Sequence, residues 1–153
     1  MKICGIDPGN TGAMCILDTK MCPVYISFLD LNKSTIYEAS KWLHIWDPDS
    51  IWIEDVHSFP GMSAKSNFGF GRSAGTVMAI AQIATKGKLI KKVTPKIWQS
   101  YIGITAKGKA IKHDVANKAL QIYSNAIIHG KRGGLLDGRS DALMIAHYGV
   151  NHP

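Results

Sequence analysis

Four carboxylates in this chain stand where side chains could do chemistry. Asp7 closes the apolar run Lys2-Ile3-Cys4-Gly5-Ile6 and opens the turn Pro8-Gly9-Asn10-Thr11-Gly12. Glu54 closes a second apolar run, Ile51-Trp52-Ile53. Asp137 and Asp141, four residues apart, lie just ahead of Ala142-Leu143-Met144-Ile145-Ala146. Acids at the ends of buried segments lose hydration, and a divalent metal is the usual compensation. Four converging oxygen donors would hold two Mg²⁺ ions, with Mn²⁺ as a substitute, and a two-metal centre is suited to cutting a phosphodiester.

Other uses of these residues stay open at this level. Asp137 could cap a helix while Asp141 faces water. Against that, like charges one helical turn apart destabilise an isolated helix, which argues for a purpose beyond structure. The turn after Asp7 could also cradle nucleotide phosphates, as in the sugar-kinase and actin group of ATPases. Those proteins close a second lobe over the nucleotide, and 153 residues leave no room for one. No nucleotide cofactor is expected. The six histidines include no pair at metal-ligand spacing, so a histidine-based site is not expected either.

The elements that must position the acids are legible from periodicity. Three β-like runs, 2–7, 12–18 and 23–29, are separated by turn signals at Gly9-Asn10 and Lys20-Met21-Cys22-Pro23. They predict an antiparallel meander whose most apolar strand, the first, is central. Helical spacing over 34–46 stops at Asp47-Pro48-Asp49. A short buried strand follows at 50–54, then a loop at 55–70, a small-residue helix at 71–86 and a strand at 89–93. Helices at 95–101 and 109–124 come next, then a Gly-rich turn at 129–134 and a last helix at 137–148. The order implies an α/β fold: one mixed five-stranded sheet, its first three strands antiparallel, with helices on both faces. One domain spans residues 1–153, with no repeat and no linker. Asp7 and Glu54 then emerge at the same end of adjacent parallel strands, where open α/β sheets bind ligands.

Composition points to a polyanionic partner. The formal net charge is +7, and its distribution matters more than its size. Residues 1–64 carry four lysines and no arginine against eight acids, while residues 86–132 carry ten lysines and one arginine against Asp114 alone. An acidic half joined to a basic half suits metal-assisted work on nucleic acid. With 46% apolar and 19% charged residues, the chain reads as globular. No run reaches the ~18 apolar residues of a membrane span, and the N-terminus lacks a signal-peptide layout; a cytoplasmic location and no membrane partner are expected. Cys4, Cys15 and Cys22 lack any C-x-x-C pairing, so reduced core thiols are expected at the first two.

The order of motifs resembles the RuvC family of Holliday-junction resolvases, in a compact phage-like form. The likeness covers nearly the whole chain. It runs through Gly5-Ile6-Asp7-Pro8-Gly9, Ile53-Glu54-Asp55-Val56, Gly71-Arg72-Ser73-Ala74-Gly75 and Val93-Thr94-Pro95-Lys96-Ile97-Trp98, then Gly103, Lys109 and Lys112, and ends with Asp137 and Ser140-Asp141-Ala142-Leu143. Two departures stand out. Gln99 occupies a position where the family often has a basic residue, and the last two acids are four apart where cellular resolvases commonly have three.

The resemblance implies a ribonuclease-H-like fold and a Mg²⁺-dependent, structure-selective endodeoxyribonuclease that nicks four-way and other branched DNA in pairs. It implies Asp7, Glu54, Asp137 and Asp141 as metal ligands, Lys112 as a cation beside the scissile phosphate, and a homodimer that places two centres on two strands. Were the source a phage, the location would be the host cytoplasm. The helix at 71–86 could mediate pairing or simply pack on the sheet. In the loop at 55–70, aromatic residues beside cations suit stacking on unpaired bases. Phe59 is the preferred wedge there, with Lys65, Phe68 and Arg72 beside it, while Phe68 and Phe70 could equally anchor the loop. Lys107 and Lys109 would contact DNA. Lys91, Lys92, Lys96, Lys118, Lys131 and Arg132 would bind backbone phosphates away from the cut. The rivals are a junction-binding protein without catalysis and a related nuclease for other branched DNA or RNA.

Overall fold

A computed structural model describes residues 1–57, 61–86 and 89–152. Five strands form one sheet in the order β3-β2-β1-β4-β5. β1 (Lys2–Ile6), β2 (Ala13–Asp18) and β3 (Tyr25–Asp30) are the expected antiparallel meander. β4 (Ser50–Glu54) runs parallel to β1, and β5 (Ile90–Val93) parallel to β4. The central strand is β1, flanked by neighbours on both edges.

Side chains alternate across a strand with a period of two, and that alternation divides the core. Ile3, Ala13, Cys15, Leu17, Trp52 and Val93 project to one face. There they meet α3 (Pro95–Tyr101), α4 (Ala110–Ile122) and α5 (Asp137–Val150). Cys4, Ile6, Met14, Ile16, Ile51 and Ile53 project to the other, against α1 (Ile36–Trp46) and α2 (Ala64–Ala84). Cys4 and Cys15 are buried free thiols on opposite faces, and burial pushes both thiols up. Helices therefore cover both faces, as expected. Among the described residues no helix is long and apolar enough to cross a membrane.

Local signals set several helix ends. Thr35 and Glu38 form a reciprocal capping box at the start of α1, and Asp47 ends that helix in the left-handed conformation. The helix expected over 71–86 instead begins at Ala64, where the Ser63 hydroxyl accepts from the Ser66 amide. Gly69 and Gly71, which suggest a loop, lie within this helix on a flank where an added Cβ would meet nothing. Its far half is anchored by Val77, Ile80, Ala81 and Ala84 in the α1/α2 core, and that packing overrides the weak propensity of the glycine-rich start. Lys65 and Phe68 are thus helical residues, not loop residues.

α5 lies unusually close to β1. A side chain on Gly5 would collide with the backbone of Ala142 and Ala146, so only glycine lets helix and strand approach to this distance. Leu143, Met144 and Ile145 are fully buried, and each contributes roughly 1.5–3 kcal/mol by leaving water. That anchorage is large enough to hold charged neighbours in an unfavourable place.

Candidate active site

Strand alternation decides which face the first two acids occupy. Ile3, Gly5 and Asp7 share the α5 side of β1, and Trp52 and Glu54 share the same side of β4. Ile6 pairs with Ile53 in the parallel register, so Asp7 and Glu54 follow side by side at the carboxyl ends of neighbouring strands. α5 begins over that edge with Asp137, and Asp141 comes one turn later.

All four residues keep an opening to solvent, but three of the carboxyls are hemmed in by protein. Burial pushes Asp7 up to about 6; the Gly9 amide, donating to Oδ1 at 2.9 Å, opposes this, and the Asp137 charge adds to it. Glu54 is pushed up to about 7, mainly by burial and then by the Asp7 charge, while the Trp98 indole N–H donates to Oε1 at 2.9 Å and opposes both. Asp141 is raised well above the ordinary carboxylate range by burial, then by Asp7, Glu54 and Asp137. Asp7 feels the charge of Asp137, Glu54 that of Asp7, and Asp141 those of Asp7, Glu54 and Asp137. The sequence-predicted quartet is gathered at one corner.

Lys112, from the first turn of α4, donates to Asp137 Oδ2. This bond is the main reason its ammonium is held above the usual lysine range, with the charges of Asp137, Asp141 and Asp7 adding to the effect. The lysine is exposed apart from this contact, so it reaches from the surface into the acidic corner.

Gly138 accounts for the four-residue spacing of the last two acids. A Cβ there would strike the Thr11 carbonyl and the Gly12 Cα of the β1–β2 turn. An acid three residues before Asp141 has no room, and the carboxylate falls one position earlier, within reach of Thr11 and Lys112.

The donor set suits a hard divalent cation: all oxygen, desolvated and mutually repelling. It is not assembled around one. Among the described residues no three His, Cys, Asp or Glu side chains are grouped to hold an ion. Lys112 pairs with Asp137 through Oδ2, and Trp98 donates to Glu54 through Oε1.

The expected DNA contacts distribute unevenly. Phe59 lies outside the described residues. Lys65 and Arg72 are exposed on α2, and Phe68 projects from it with 74% of its surface free. Phe70 is partly buried beside Val56 and His57. Arg72 lines a cleft of about 210 Å³ with Gly9, Asn10, Thr35 and Ser73, on the α1/α2 side of the Asp7 turn. Lys107 and Lys109 are exposed just ahead of α4, with Lys109 the residue immediately before its first turn.

Two contributors were not predicted. Trp98 reads as a core or interface residue, and it is fully buried, but its N–H serves Glu54. Only its place in the Thr94-Pro95-Lys96-Ile97-Trp98 motif hints at this. Arg139, between the two helix acids, forks onto Asp30 at the end of β3 with bonds of 2.6 and 2.9 Å and donates to the Ile127 carbonyl at 3.0 Å. No local pattern pairs residues 109 positions apart.

No protein-family model and no curated protein matches the chain. Solved structures do. Thermus thermophilus RuvC in complex with a Holliday junction substrate superposes with a TM-score of 0.62 at 17% identity, over 95% of this chain and 90% of that one. The Fowlpox virus Holliday junction resolvase gives 0.62 at 16% identity, over 99% of both chains. The yeast mitochondrial Holliday junction resolvase gives 0.52 at 16% identity, over 94% of this chain and 75% of that one. At such identities the likeness establishes a shared fold, the RuvC-like ribonuclease-H-like sheet and its helices.

Proposed function

We propose that this chain is a structure-selective endonuclease of RuvC type that resolves four-way DNA junctions by paired nicks. The observation that carries the reading is the corner where Asp7 and Glu54 end neighbouring strands, Asp137 and Asp141 come from the start of α5, and burial with neighbouring acidic charge raises the pKa of Asp7, Glu54 and Asp141. Holding these acids together is costly in the absence of a cation and useful in its presence. The fold neighbours, described as resolvases, support the substrate class.

Asp7, Glu54, Asp137 and Asp141 would hold two Mg²⁺ ions, or Mn²⁺ in their place. When bound, the ions supply positive charge to the attacking and departing oxygens of an in-line displacement. The reaction adds water across one P–O bond: hydroxide ends on phosphorus and the proton on the departing 3′ oxygen, leaving a 5′-phosphate and a 3′-hydroxyl. The Asp7 turn and the β1–β4 register fix two carboxylates, while α5 brings the other two. Trp98 orients Glu54. Lys112 can exchange Asp137 for the scissile phosphate and offset its developing charge. Lys107, Lys109 and Arg72 would track the backbone on either side. One centre cuts one strand, so paired nicks require a homodimer.

A panel of four-way, three-way, forked and linear DNA, incubated with Mg²⁺ or with EDTA, tests the reading. Paired symmetric nicks on the four-way substrate, present with Mg²⁺ and lost with EDTA, are expected. Salt-sensitive binding to every branched substrate with no cutting under either condition would replace this reading with a binding protein.

A further inference from the structure

A second surface of the molecule has the chemistry of a nucleic-acid contact, on the outer side of the helix that serves Glu54. α3 turns Trp98 inward and leaves Lys96, Ile97, Ser100 and Tyr101 facing out. With Tyr148 and His152 these residues line a groove of about 660 Å³. Its wall is aromatic. Tyr148 and His152 stack at 3.9 Å with 12° between their planes, and Tyr101 meets both edge-on at 5.4 and 4.9 Å. Ile97 is 51% exposed and Tyr101 44%, which leaves apolar area open beside Lys96. Among the described residues no acidic side chain lines the groove. Lys91 extends the positive charge along β5, where it covers the Trp52 ring and donates to the His152 carbonyl at 3.3 Å.

We infer that this α3–α5 groove binds a single-stranded segment of the nucleic-acid substrate, with a base stacked on Tyr101 and its phosphates on Lys96. The inference rests on the proposed reading of the acidic corner and extends it to a second contact on the same substrate. Charge complementarity selects a polyanion, and the exposed ring beside an apolar side chain selects one that offers a π-face. A duplex arm keeps its base faces inside the stack, so lysines alone would serve it. α3 also links the groove to the acids: Thr94, at the groove's rim, follows β5, and Trp98 on the same short helix bonds Glu54. A strand unpaired near the branch would leave the acids across α3 and meet Lys96 and Tyr101 next.

The test uses full-length protein carrying Asp7→Asn, which leaves the DNA uncut, and compares a short single-stranded oligonucleotide containing 2-aminopurine with a linear duplex of the same sequence. Tyr101→Leu keeps the core side filled but removes the stacking face. It is expected to weaken single-strand binding about tenfold, to abolish the change in 2-aminopurine fluorescence on binding, and to leave duplex affinity within about twofold. Tyr101→Phe should retain both signals, and Lys96→Gln should weaken both ligands in a salt-dependent way. Equal single-strand binding by Tyr101→Leu and its parent, or equal losses for single strand and duplex, would overturn the assignment. Nicking of a four-way junction by the protein with Asp7 intact reports on the acidic corner alone, so failure of the groove and failure of the nuclease reading remain distinguishable.

Discussion

Burial raises the proton affinity of Asp7 and Glu54, and this has a thermodynamic sign. The folded state binds the Asp7 proton more tightly than the unfolded chain does, with a pKa of about 6 against 3.8. The contribution of these two carboxyls to stability is therefore fully present below their unfolded values and is lost as pH rises through about 6 for Asp7 and about 7 for Glu54. Above that range each anion is retained at a cost. Asp7→Asn removes one such charge, so in EDTA at pH 8 the variant should be more stable than the parent by about 1–2 kcal/mol, read as a higher urea midpoint. A midpoint equal to or below the parent's would show that the carboxylate is not strained. Trp98→Phe removes the donor that opposes the rise at Glu54, so the acid limb of the pH–rate profile should move to higher pH. An unchanged limb would mean that Glu54 is not the group titrating there.

At the scale of elements, the site is a matter of how α5 meets the sheet. Gly138 sits against the β1–β2 turn and Gly5 against α5. Gly138→Ala should push the first turn of the helix off the turn that holds Asp7, lowering stability by about 1–3 kcal/mol and cutting activity well beyond the loss of folded protein. Full activity in the folded fraction would separate the helix contact from the site. Arg139 and Asp30 tie the same turn to the edge strand, and the guanidinium holds the Asp30 carboxyl below its usual range. That contribution is present above the unfolded carboxylate pKa and is lost as pH falls from there through the lowered folded value. Arg139→Ala should therefore destabilise the fold at pH 7 by about 1–3 kcal/mol and by less at pH 3, as thermal melts at the two values would reveal. Equal losses at both would assign its role to packing on Phe28. The elements themselves were largely readable, because period-two runs and capping residues act locally. The start of α2 was not readable: its glycines mimic a loop, and besides the Ser63 cap the buried contacts that anchor it come more than a turn later. The Arg139–Asp30 fork and the Trp98–Glu54 bond were hidden for a related reason, since each joins residues brought together by the fold alone.

For the whole molecule, the sequence already separates an acidic half from a basic half, and folding lays them against one edge. Asp7 and Glu54 come from the acidic half, Lys107, Lys109 and Lys112 from the basic one, and α5 joins the two. The spacing of Asp137 and Asp141 was legible as a shared helix face, but its cause, the closed space at Gly138, belongs to tertiary packing. The arrangement places a corner of desolvated carboxylates beside Lys112. Binding and cutting should therefore be separable: the lysines carry most of the affinity, and the acids carry the chemistry.

That separation is tested most directly by one paired measurement on a synthetic four-way junction in Mg²⁺, comparing the parent with Asp7→Ala for both retention and nicking. The parent should cut symmetrically, and the variant should hold the junction with similar affinity while leaving every strand intact. Nicking by Asp7→Ala at a rate near the parent's would contradict the assignment of the reaction to the acidic corner.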